Sequence, residues 1–101
     1  MNLEQFGKSL AQDEPPGDLS SALAGLWWDA KGNWKQAHEF AQQDEGSAGS
    51  WVHAYLHRKE GDSSNAAYWY RRAARPPSQI PLDQEWLQIA ESLLNAAEPH
   101  S

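Results

Sequence analysis

His53 and His57 stand four residues apart in Trp51-Val52-His53-Ala54-Tyr55-Leu56-His57-Arg58-Lys59-Glu60. That spacing puts both imidazoles on one face of a helix, with Glu60 between them in angle. Two imidazoles one turn apart can hold a divalent metal ion, and His38 or Glu60 can supply a third ligand. The same spacing equally serves histidines that only hydrogen-bond between packed helices, or that take part in polar binding or proton transfer. Ala54 stands where the helical zinc-protease motif has its glutamate, and the chain has no cysteine to add a thiolate. His38, at the border of an apolar stripe one turn after Trp34, reads as a packing residue or as the third ligand.

A second group lies in Tyr68-Trp69-Tyr70-Arg71-Arg72. Helical spacing turns Trp69 and Tyr70 toward the core and places Tyr68 on the opposite side, one turn before Arg72. Ring and guanidinium can then stack. Exposed tyrosine–arginine pairs are favoured interface anchors, and they also occur as surface pairs of small structural value. Arg58, Arg71, Arg72 and Arg75 concentrate positive charge, which can receive a carboxylate or balance Asp13, Glu14 and the acids of the last helix. Trp27 belongs to an apolar stripe. Trp28 faces away from it beside Gly25, and so is either sandwiched by another helix or set in a groove.

The elements that must position these residues are helical. Asp18 is the expected cap of a helix carrying Leu19, Ala22, Leu23, Leu26, Trp27 and Ala30, closed by Gly32. Asn33 caps a second helix with Trp34, Ala37, Phe40 and Ala41 on its apolar side. A third is expected over residues 47–59, with Trp51, Val52, Tyr55 and Leu56 inward. Gly61 ends it and Asp62 caps a fourth, striped by Ala66, Trp69, Tyr70 and Ala73. After the proline-rich stretch 76–81, Leu82, Trp86, Ile89, Ala90, Leu93, Leu94 and Ala97 mark a last amphipathic helix. Asp83 and Glu85 there favour its first turn through the macrodipole. Leu3, Phe6 and Leu10 share a face of a short N-terminal helix cut off by Asp13-Glu14-Pro15-Pro16-Gly17. It is expected to be a weakly held arm, residues 1–17, on a single domain, residues 18–98.

Bulk properties narrow the function classes. The chain has 101 residues, one domain's worth, and a net charge of −6. That charge argues against nucleic acid and anionic membranes as partners. Without cysteine there are no disulfides and no thiolate chemistry. Met1-Asn2-Leu3-Glu4-Gln5-Phe6 lacks the basic and apolar regions of a signal peptide, and no run is long enough to span a membrane, so a cytoplasmic location is expected. Neither a glycine-rich phosphate loop nor a Gly-x-Ser-x-Gly elbow is present. No catalytic residue and no cofactor is assigned, and the sequence leans away from an enzyme.

Gly32-Asn33-Trp34-Lys35-Gln36-Ala37 and Gly61-Asp62-Ser63-Ser64-Asn65-Ala66 share a design, a glycine and a capping residue followed by an alanine five positions after the glycine. This resembles the tetratricopeptide repeat, whose Gly-Asp-type turn joins helix A to helix B. Gly25 and Trp28, then Ala54, Ala66, Tyr70 and Ala73, stand at its small and aromatic positions. The two glycines are 29 residues apart, against ~34 in that family. Ser21 replaces its first tryptophan, and His57 stands at an aromatic position. The resemblance implies an all-α fold of two antiparallel helical hairpins with a C-terminal capping helix. The longer pattern W-V-H-A-Y-L-H-R-x-E-G-D followed by N-A-x-Y-W-Y-R-R-A is similar to a family of small uncharacterised bacterial proteins. It implies a bacterial cytoplasmic origin and no particular activity.

The function expected is a protein- or peptide-binding module using Tyr68, Arg72, His53 and His57, with Trp28 behind them. A homodimer is a further expectation, resting on apolar surface at Leu3, Phe6 and Leu10. The alternative from another class is a small-molecule or metal site of His38, His53, His57 and Glu60, with hydrolytic chemistry within its reach.

Overall fold

The computed structural model describes residues 1–97. They form six helices and no strand: α1 Leu3–Ser9, α2 Ser21–Ala30, α3 Trp34–Gln43, α4 Ser47–Lys59, α5 Ser63–Arg72 and α6 Leu82–Ala97. Residue 98, the expected end of the domain, lies outside the described residues. None of these helices is long and apolar enough to cross a membrane.

Local chemistry accounts for most boundaries. Asn2 and Gln5 form a capping box at α1, and Asn33 and Asp62 cap α3 and α5 by accepting from the amides of Gln36 and Asn65. The cap of α2 is Ser20, whose hydroxyl accepts from Leu23, and not the expected Asp18. Pro15, Pro16 and Gly17 hold the chain out of helix until the Ser20 hydroxyl, three residues further on, meets the first turn.

Three helices end in one motif. In α2 the amides of Gly32 and Asn33 donate to Asp29 and Trp28 carbonyls; in α4 those of Gly61 and Asp62 donate to Arg58 and His57; in α5 those of Ala74 and Arg75 donate to Arg71 and Tyr70. These are Schellman ends, which need a left-handed residue at the turn. Gly32 and Gly61 supply it with φ of 82° and 89°, while Ala74 adopts φ 59° despite its Cβ. Left-handed backbone costs a β-carbon residue roughly 1–2 kcal/mol. Ala74→Gly is therefore expected to stabilise the chain by about 1 kcal/mol, read as a higher urea midpoint at unchanged slope.

Consecutive helices pair, α2 with α3 and α4 with α5. α4 then packs on α3, α2 and α6, and α6 also meets α2 and α1. Residues Gly49 to His57 of α4 are buried without interruption, so this helix is surrounded on all faces. Gly25 lets α2 approach as expected: a Cβ there would lie 3.1 Å from the Ala37 carbonyl oxygen and 3.4 Å from Val52 Cγ1.

Two polar ties cross the core. Asp29 on α2 is buried and accepts from Lys59 Nζ at 2.9 Å and the Tyr55 hydroxyl at 3.2 Å. Glu85, expected only as a charge in the first turn of α6, is 0% exposed. Its carboxylate accepts from Arg58 Nη1 at 2.7 Å, the Tyr70 hydroxyl at 2.6 Å and Trp51 Nε1 at 3.4 Å. Arg58 also donates to the Ile80 carbonyl, which fastens the proline-rich connector. Burial first, and then these carboxylates, hold the Tyr55 and Tyr70 phenols well above their ordinary value.

The N-terminal arm departs from expectation. Phe6 is 0% exposed and stacks on Trp86 at 5.7 Å between ring centres. Ser9 accepts from Trp27 Nε1 at 3.0 Å, and Lys31 Nζ donates to the Leu10 and Gln12 carbonyls. Leu3 and Leu10 pack half-buried against the same core. The arm is part of the packed structure, and the apolar surface expected to serve a second copy is mostly covered within the chain.

Candidate functional site

Three histidines meet between α3 and α4. His38 comes from α3, and His53 and His57 come from successive turns of α4. One nitrogen of each lies within 4.8 Å of those of the other two. The helix crossing that achieves this depends on small residues, Ala37 and Ala41 on α3 being fully enclosed. His53 is 4% exposed and His57 7%, so the face that looked polar in sequence is covered by α3 and α5.

The rings form a stack with an edge. His53 lies between His57, at 4.9 Å and 20°, and Trp69, at 3.8 Å and 16°. His38 meets His53 edge-on at 4.4 Å, and its outer face is covered by Trp34 at 4.9 Å and 18°. Trp34 is fixed by donating Nε1 to the Leu56 carbonyl at 3.1 Å. Two indoles thus bracket the imidazoles and fix their planes.

Nε2 of His38 and Nε2 of His53 are 2.8 Å apart. At that distance one N–H donates to the other ring's lone pair, which requires the accepting imidazole to be neutral. Desolvation pushes His53 down to about 4, helped by His38 and His57. Desolvation also lowers His38, with His57 adding to it and Glu60 and Glu39 opposing. His57 is oriented differently: its Nδ1 lies 2.6 Å from Glu60 Oε1. Nδ1–H donating to that carboxylate leaves Nε2 as the ring's free lone pair. Asp62, the cap of α5, completes a second group with His57 and Glu60.

The stack opens on a cavity of about 540 Å³ lined by Ala41, Gln42, Asp44, Glu45, His53, Trp69 and Arg72. Tyr68, 44% exposed, and the exposed Arg72 stand at its margin. Arg72 Nη1 donates to the Tyr68 hydroxyl at 3.2 Å, and the guanidinium lies 5.2 Å from the Trp69 ring centre and 5.9 Å from that of Tyr68. The expected tyrosine–arginine stack is present, with Trp69 as an additional face.

Tyr68, Arg72, His53 and His57 therefore occupy one region, with His38 and Glu60. Trp28 does not join them. Its half-buried ring packs edge-on against Trp27 at 5.0 Å, and its buried Nε1 has no hydrogen-bond partner among the described residues. The expected arginine concentration also divides: Arg58 is tied to Glu85, Arg75 lies over Trp51, and Arg72 faces the cavity. Trp69, Asp44 and Glu45 were not expected here. Trp69 carried the signal of a core residue, and no periodicity links the end of α3 to α5.

Compared with known proteins, the chain matches no family model, no curated protein and no solved structure. Fold and site together define an all-α protein, six-helical over the described residues, with a buried imidazole cluster beside an open aromatic and charged cavity.

Proposed function

We propose that this chain is a protein- or peptide-binding module built from tetratricopeptide-like helical hairpins, with the face around Tyr68 and Arg72 as its docking surface. The two Gly-[Asn/Asp] turns, each closing one helix and capping the next, support the repeat-like reading. The observation that carries the binding role is the state of Arg72. Its guanidinium offers five N–H donors, and its one hydrogen bond among the described residues goes to Tyr68. It belongs to no ion pair among those residues, beside an exposed tyrosine and a partly open indole.

A partner segment with a carboxylate opposite Arg72 and a basic group opposite Asp44 and Glu45 matches the charges around the cavity. Aromatic and arginine anchors of this kind carry most of the energy in many interfaces. In keeping with the resemblance of the sequence, the partner is sought among bacterial cytoplasmic proteins.

The test compares wild type with Tyr68→Ala/Arg72→Ala in a quantitative pull-down from bacterial lysate. Circular dichroism first establishes that both are folded to the same extent. A partner enriched by wild type and lost with the double variant is the expected result. Recovery of the same proteins by both would refute this docking face.

A further inference from the structure

We propose that His38, His53 and His57 form a three-histidine site for a first-row divalent metal ion, zinc being the ion it fits. This goes beyond partner binding and stands or falls independently of it.

The donor set is the first reason. Three imidazoles with no thiolate suit zinc, nickel, cobalt or copper, and do not suit calcium or magnesium, which prefer all-oxygen shells. Their positions are the second. A tetrahedral ion with metal–nitrogen bonds of roughly 2.0–2.1 Å needs its nitrogens ~3.3 Å apart. Here the His38 and His53 nitrogens are 2.8 Å apart and all three fall within 4.8 Å. Small ring adjustments at His38, half-buried on the outer helix, bring the set to the required spacing.

Glu60 is the third and most specific reason. Histidines that bind metals usually donate their second N–H to a carboxylate or carbonyl, which orients the ring and raises its basicity. Glu60 holds His57 Nδ1 at 2.6 Å in that manner.

The stacking indoles, Trp34 on His38 and Trp69 on His53, keep the rings in plane. Three protein ligands leave a tetrahedral ion one exchangeable position. The cavity that His53 lines gives an ion and a small ligand access to the cluster.

The full chain, expressed without a histidine tag and stripped with chelator, is titrated with Zn²⁺ against a chromophoric competitor and with Co²⁺ by visible absorption. One equivalent is expected to bind with sub-micromolar Kd, with the intense d–d bands of tetrahedral cobalt. His53→Gln and His57→Gln are each expected to weaken zinc binding by at least ~100-fold. Glu60→Gln, a change at an exposed residue that leaves the core intact, is expected to weaken it by roughly 10–100-fold. Tyr68→Ala/Arg72→Ala should bind zinc as wild type does, even where it has lost its protein partner. Absence of one-to-one binding below ~10 µM would overturn the site. So would cobalt spectra and affinities unchanged by both His57→Gln and Glu60→Gln.

Discussion

Glu85→Ala is expected to destabilise the chain by about 3–5 kcal/mol, the cost of removing one partner from a buried ion pair. Glu85 is 0% exposed and receives three donors, from Arg58 and Trp51 on α4 and Tyr70 on α5. Truncation leaves the Arg58 guanidinium, which is itself only partly exposed, without its carboxylate. It also strands a buried phenol and an indole N–H, and it opens a cavity among α4, α5 and α6. Domains of this size have about 5–15 kcal/mol of total stability, so the alanine variant sits near the edge of folding. Glu85→Gln keeps the volume but brings an NH2 group toward donors, and a loss of about 1–3 kcal/mol is expected. Asp83→Ala, an exposed acid in the same turn, should change stability by less than ~0.5 kcal/mol. Urea denaturation of the three variants checks the ranking. Equal midpoints for the Glu85 and Asp83 variants would show that the buried carboxylate has no such role.

Phe6→Ala is the second large effect, expected at about 3–5 kcal/mol. In sequence Phe6 belongs to a seven-residue helix, LEQFGKS, too short to be stable alone. In the structure its ring is fully enclosed and stacked on Trp86, whose Nε1 in turn donates to the Leu26 carbonyl at 3.0 Å. Removing the ring uncovers one face of Trp86 and loosens the junction of α1, α2 and α6. Leu3→Ala and Leu10→Ala, at half-buried positions, should cost less. The check is denaturant unfolding followed by tryptophan emission, in which the Phe6 variant should also show a red-shifted native spectrum. A loss under ~0.5 kcal/mol with unchanged emission would mean that the arm is a loose appendage after all.

The burial of these two residues is not legible in the sequence, for different reasons. Phe6 was recognised as apolar, but a helix interrupted by Gly7 and followed by two prolines gives no local sign of what it packs against. Glu85 carried a signal that its charge masked. It lies three residues after Leu82 and four before Ile89, on the apolar stripe of α6, and a carboxylate on such a stripe is accounted for only by donors elsewhere. Arg58, Tyr70 and Trp51 are distant in sequence, and no spacing rule connects them to it.

The candidate site divides in the same way. That His53 and His57 share a face, and that Tyr68 can stack with Arg72, follow from the helical period, and both pairings occur in the structure. The approach of His38, the indole on each side and the cavity edged by Asp44 and Glu45 do not follow from any period.

By itself the sequence determined the local events: an all-α chain, the Gly-[Asn/Asp] turns that end one helix and cap the next, the spans of α4 and α6, and the apolar stripe of each helix. Those depend on contacts within a few residues, where backbone hydrogen bonding and the 3.6-residue period leave little choice. The tertiary structure decided that α4 is enclosed on all sides, that the arm is packed, that Glu85 is buried, and that three histidines converge. Each of these depends on how closely two helices approach and at what angle they cross. That is set by the summed packing of small side chains such as Gly25, Ala37 and Ala41 across the interface, which no single segment encodes.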